Sequence, residues 1–164
     1  SGVVDRSLGA MNDTMQEATS NSTDPAEAEP SNEDFEQAVH TEINTIREEH
    51  GLQPLEYNEA LAIIGRNHSR DMAAREYFDH TSPEGWKPSD RVAASEKVQC
   101  RVGENLYRES GYSVLDPTTI AERTVESWMN SPGHRENILR EMWSVEGIGV
   151  HIDGQDVWVT QMFC

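Results

Sequence analysis

Apolar positions follow two rhythms along this chain, and one long stretch follows neither. Phe35, Val39, Ile43 and Ile46 recur at steps of four, four and three, one stripe of an amphipathic helix. Ser31, three residues before Asp34, is placed to open that helix through a variant of the capping box. Gly51 stops it and Pro54 prevents its resumption. Asn58 caps a predicted second helix with Leu61, Ile64, His68 and Met72 on one face, ending near Tyr77-Phe78. Residues 89–94 suggest a short third helix. Asp116-Pro117, a cap residue followed by proline at the first helical position, starts a fourth. Its buried side is Ile120, Thr124 and Trp128 with Ala121, Val125 and Met129. Ser131-Pro132-Gly133 breaks that helix, which predicts a tight turn at His134.

The rhythm then changes to two. Val145, Gly147, Gly149 and His151 alternate with Ile148, Val150 and Ile152. Asp153-Gly154 supplies a turn and Val157–Phe163 returns, a β-hairpin signature. Val98–Val102 is read as a further strand. Residues 1–32 are rich in Ser, Thr, Asn, Asp, Glu, Ala and Pro, and are expected to form a disordered acidic tail or stalk. Asn12 and Asn21 within it begin glycosylation sequons. Residues 33–164 then make one α+β domain. The expected architecture is a three-layer α-β-α sandwich, a small antiparallel sheet flanked by about four helices.

Charge narrows the partners. Thirty acidic residues against 13 basic ones leave a net charge of -17. Such a surface repels polyanions, so nucleic acid is not an expected partner. The acidic excess is spread along the whole chain, which suggests adaptation to high salt, where repulsion is screened beyond ~3 Å at 1 M. An ordinary acidic secreted protein is the alternative. No apolar run approaches the ~20 residues of a spanning helix, so no transmembrane segment is expected in this chain. The first residue is Ser1 rather than Met, so a targeting or anchoring segment upstream is left open.

The two cysteines, Cys100 and Cys164, either form one bridge or stand as free thiols. A bridge would pin the last strand into the sheet, contribute about 4 kcal/mol in the chain-entropy model, and point to an extracellular location.

Three motifs carry the candidate chemistry: Phe78-Asp79-His80-Thr81-Ser82-Pro83, Gly103-Glu104-Asn105-Leu106, and Ser131-Pro132-Gly133-His134-Arg135. With His50-Gly51-Leu52-Gln53-Pro54-Leu55, Trp128-Met129-Asn130 and Gly147-Ile148-Gly149-Val150, they resemble the CAP superfamily (cysteine-rich secretory proteins, antigen 5, pathogenesis-related 1). The similarity is to its prokaryotic SCP-domain branch, of a haloarchaeal type. The resemblance implies the sandwich fold, secretion or display at the cell surface, and a central cleft holding two histidines and two acids. By motif, His80, Glu104 and His134 match three of the four. Ser131 stands where the second acid is common, so the tetrad is incomplete.

Two neutral imidazoles suit Zn2+ or another divalent cation. Glu104 is read as a third ligand, as a base on bound water and so the catalytic group of any enzyme here, or as a group orienting one histidine. Ser82, Ser131, Asn105 and Arg135 are expected beside the cleft. The resulting reading is a non-enzymatic extracellular binding module that takes a metal and an extracellular ligand or protein. A metal-dependent, peptidase-like hydrolase is one alternative, and a structural or adhesive envelope domain with purely structural histidines is another. Lipids, which the resemblance implies for other members, are a minor option, because no apolar loop here would carry them. His68 is expected to be a core histidine, and Arg91 to make salt bridges or bind loop carbonyls.

Overall fold

The computed structural model describes residues 29–111 and 116–164. Most of the expected tail, with both sequons, lies outside the described residues. Helix α1 (Asn32–Glu49) starts at the expected box: Ser31 Oγ accepts from Asp34 N and Asp34 accepts from Ser31 N. A two-residue strand β1 (Glu56–Tyr57) follows, then α2 (Glu59–Arg75), capped by the Asn58 side chain. Helix α2 ends at Arg75, just short of the expected Tyr77-Phe78, because Glu76 takes the left-handed conformation (φ 55°) and closes it. Then come α3 (Pro88–Ser95), β2 (Gly103–Glu109) and α4 (Pro117–Met129), the last capped by Asp116.

Three expectations need correction. His134 does not sit in a tight turn. Pro132 occupies the first position of a new helix, α5 (Pro132–Ile138), whose first turn places His134. Proline at that position breaks one helix and starts the next, since it lacks only an N–H that would be unpaired anyway. Residues 98–102 are not a strand. Val98 and Val102 pack against Leu61, Ile64, Val92 and Met162, and pairing begins only at Gly103. The sheet is mixed rather than wholly antiparallel, because β1 joins it parallel to β3.

The hairpin of β3 (Val145–Asp153) and β4 (Asp156–Phe163) forms as read, and the sheet order is β1-β3-β4-β2. One face is covered by α1 and α4, where Phe35, Val39, Ile43, Val125 and Trp128 meet Ile148, Val150, Val159 and Phe163. The other face is covered by α2 and α3. Alternation along the strands therefore sorts their residues. Glu104, with its partner Met162, faces α2, and Asn105, with Gln161, faces α1.

Helix α2 lies unusually close to β3. Backbone meets backbone across Gly147 and Gly149, where an added Cβ would overlap Ala62 N and Arg66 N respectively. Ser69 uses that proximity, donating its hydroxyl to Gly149 O at 2.8 Å. Cys100 and Cys164 form the disulfide, with Cα atoms 5.8 Å apart. The bridge ties the loop before β2 to the end of β4.

Candidate functional site

Strand β2 is an edge of the sheet, and the three motifs converge on it from both layers. His80 belongs to the loop between α2 and α3. That loop is fixed by short internal bonds. Asp79 Oδ1 accepts from Thr81 N, and Ser82 both donates to Trp86 O through its N–H and accepts from Trp86 N through Oγ. His68, buried on α2, makes a 2.9 Å hydrogen bond between Nε2 and Asp79 O. A core histidine thus anchors the motif loop, as its position on the apolar face implies. Burial lowers the His68 pKa, so the ring is held neutral and Nε2 carries the donated proton.

Glu104 is the centre of the arrangement. Its side chain is 2% exposed, and both carboxylate oxygens are engaged. Oε1 lies 2.8 Å from His80 Nδ1, and Oε2 accepts from Arg91 Nη2 at 2.7 Å. Arg91 also donates through Nη1 to the carbonyls of His80 and Trp86. One guanidinium therefore clamps the motif loop to β2, combining both roles expected of Arg91. The hydrogen bond to Glu104 raises the His80 pKa. Nδ1 is tied to a buried carboxylate while the side chain is 48% exposed, so Nε2 is the nitrogen left for a ligand.

His134 comes from the other side. Burial, and secondly the charge of His80, lower its pKa, so the two imidazoles are electrostatic neighbours pushed in opposite directions. Asn105, next to Glu104 in sequence but on the opposite face, holds α5 in place. Its Nδ2 donates to His134 O at 3.1 Å, and its Oδ1 accepts from Asn137 Nδ2 at 3.0 Å. Asn137 Nδ2 also reaches Glu104 O.

The remaining expected residues are placed less centrally. Ser82 is buried within its own loop. Ser131 is the cap position of α5 but makes no capping bond through its side chain. Arg135 lies against His50, with Nη2 and Nε2 3.4 Å apart, rather than against the histidine pair. Among the described residues, no group of three His, Cys, Asp or Glu side chains is gathered as a metal cage. An apolar recess of about 410 Å³ lies between α2 and α3, walled by Ile63, Ile64 and Trp86 with Arg91 among its lining residues. Gln161 and Glu146 were not singled out in the sequence. The signal that could have found them is a polar residue inside an otherwise apolar strand face.

The sequence model of the cysteine-rich secretory protein (CAP) family matches residues 40–163. The chain is 32% identical over 145 residues to the uncharacterized protein YkwD of Bacillus subtilis, covering 88% of this chain and 53% of that one. Among solved structures, an extracellular protein containing an SCP domain from Bacillus anthracis superimposes with a TM-score of 0.68 at 30% identity. That match covers 80% of this chain and 40% of the other. An outer surface protein of Borrelia burgdorferi shares the fold at a TM-score of 0.69 and 18% identity, over 83% of this chain and 96% of its own. The chain thus spans about half the length of YkwD and less than half of the Bacillus anthracis protein. With the family match extending over most of its length, the chain belongs to the cysteine-rich secretory protein (CAP) family.

Proposed function

We propose that this domain works outside the cell as a binding module, and that His80 and His134 take a divalent cation such as Zn2+ with Glu104 behind them. The observation that carries this reading is the 2.8 Å contact between His80 Nδ1 and Glu104 Oε1. A carboxylate on one ring nitrogen fixes the orientation of a histidine and raises the basicity of the other nitrogen, as it does for histidines that ligate metals. Both Glu104 oxygens are already bonded, to His80 and to Arg91, which favours the orienting role over that of ligand or base. Two imidazoles with open positions suit a weak, exchangeable site. Catalytic zinc commonly has three protein ligands, so binding is favoured over hydrolysis. The Cys100–Cys164 bridge supports an oxidising, extracellular setting, as does the similarity to an extracellular SCP-domain protein.

Zinc titration by calorimetry in molar salt tests the reading, with the native chain compared with a His80→Ala/His134→Ala variant. Micromolar or tighter binding that disappears in the variant is expected. A native chain that takes up no zinc refutes it and leaves the histidines as structural groups.

A further inference from the structure

A row of polar side chains crosses the α1 face of the sheet, where the neighbouring positions are apolar. It begins on α1, where His40 Nδ1 lies 2.7 Å from Glu146 Oε1 on β3. Gln161 on β4 donates through Nε2 to Glu146 Oε2 at 2.7 Å. Asn105 on β2 donates through Nδ2 to Gln161 Oε1 at 3.1 Å and to His134 O on α5 at 3.1 Å. Glu146, Gln161 and Asn105 are all fully buried.

The chain of bonds has a direction, and one residue sets it. A carboxylate only accepts hydrogen bonds, whereas a primary amide has a donating end and an accepting end. Glu146 therefore turns the NH2 of Gln161 towards itself, and the Gln161 oxygen must then face Asn105. That oxygen draws the NH2 of Asn105 inward, which also directs it at the His134 carbonyl and leaves Oδ1 to accept from Asn137. Reversing either amide would set two acceptors or two donors against each other in a buried layer, where an unmade bond costs about 1–3 kcal/mol.

We infer that Glu146 is a positioning residue for the cleft: across three strands, its carboxylate orients the amides of Gln161 and Asn105 and so holds α5 and His134 against β2. Its consequence for metal binding rests on the reading of His80 and His134 as the cation site. The orientation of α5 does not depend on that reading.

Glu146→Gln is the variant of choice, since it keeps the shape but supplies an amide that bonds in either sense. Two further variants calibrate it. Glu36→Gln removes another buried carboxylate, which binds Arg66 and Val150 N outside the row. His40→Gln alters the outer end but keeps the Glu146 charge. In the metal-free protein, the His134 carbonyl carbon and the Asn105 side-chain amide are followed by NMR. Zinc affinity is then measured by calorimetry.

The expected result is displaced His134 and Asn105 signals in Glu146→Gln alone, with zinc bound about 10-fold more weakly, the lower end of the range for groups behind a ligand. Unchanged signals in a folded Glu146→Gln protein, or equal displacement in Glu36→Gln, overturn the inference. Should Glu146→Gln not fold, the native protein decides. Slow solvent exchange of the Gln161 and Asn105 side-chain amide protons supports the row, and fast exchange overturns it. A native chain that binds no zinc, with displaced His134 signals in Glu146→Gln, refutes the cation reading and keeps the positioning role.

Discussion

Replacing Gly149 by alanine tests whether the layer spacing described here is set by glycine. A Cβ at that position would fall inside the contact distance of Arg66 N and Gly65 C, both of them backbone atoms of α2. No rotamer change relieves such an overlap, so α2 must move away from β3. Overpacking of this kind costs about 1–3 kcal/mol. The retreat also stretches the buried bond from Ser69 to Gly149 O, and with it the Ser69–Thr160 hydroxyl contact at 2.8 Å. Leaving such a group unsatisfied adds about 1–3 kcal/mol. The expected destabilisation is about 2–6 kcal/mol, a large part of a typical domain's total stability of about 5–15 kcal/mol. Gly65→Ala is the matched control on the helix side of the same contact. Its Cβ would lie 3.1 Å from Thr160 O and 3.2 Å from Gly149 N, which small shifts relieve. It also gains about 0.8–1.0 kcal/mol of helix propensity, so the net change should be near zero. Urea unfolding with both the midpoint and the slope fitted measures the two. A Gly149→Ala protein within about 1 kcal/mol of the native one refutes the reasoning.

Four further outcomes are expected. Replacing both cysteines by serine removes a bridge of sequence separation 64 and should lower stability by about 4 kcal/mol in urea unfolding; no change would mean that the reduced chain is equally constrained. Glu104→Ala leaves Arg91 12% exposed without its carboxylate, and should cost about 3–5 kcal/mol by the same assay. Since burial lowers the folded pKa of His68 below its ordinary 6.5, that group's contribution is fully present above pH 6.5 and is lost as pH falls from there through the folded value. His68→Gln should therefore flatten the acid limb of a stability–pH curve, and an unchanged limb would count against a buried neutral ring. If the charge of -17 reflects adaptation to salt, the melting temperature should rise between dilute buffer and molar salt, and equal melting in both sinks that idea.

Helices α1, α2 and α4 were legible because their stripes repeat every 3.6 residues and their caps are local. Ser31, Asn58 and Asp116 all cap as read. Helix α5 escaped because Pro132 reads equally as the stop of one helix and the first residue of the next; the other misses were decided by pairing at a distance. Val98–Val102 has strand-like residues, yet the edge of the sheet forms at Gly103, opposite Phe163. Strand β1 is two residues long and carries no periodicity at all. At the site, the motifs named His80, Glu104 and His134, and Arg91 was expected to make salt bridges or bind loop carbonyls, with neither Glu104 nor the His80 loop named as its partner. The row through Glu146 and Gln161 could not be seen, since its members lie on different strands and only the register places them side by side.

Glu104 and Asn105 are consecutive residues that serve opposite layers. The loop bearing His80 is fastened to the first, and the helix bearing His134 to the second. The gap between the two imidazoles is therefore governed by the twist of one seven-residue strand rather than by two independent loops. Rotation of β2 about its own axis would swing the two anchors in opposite senses. On the proposed cation reading, the choice of ion would then be a mechanical property of the sheet edge, adjustable from positions along β4 that never touch the ion.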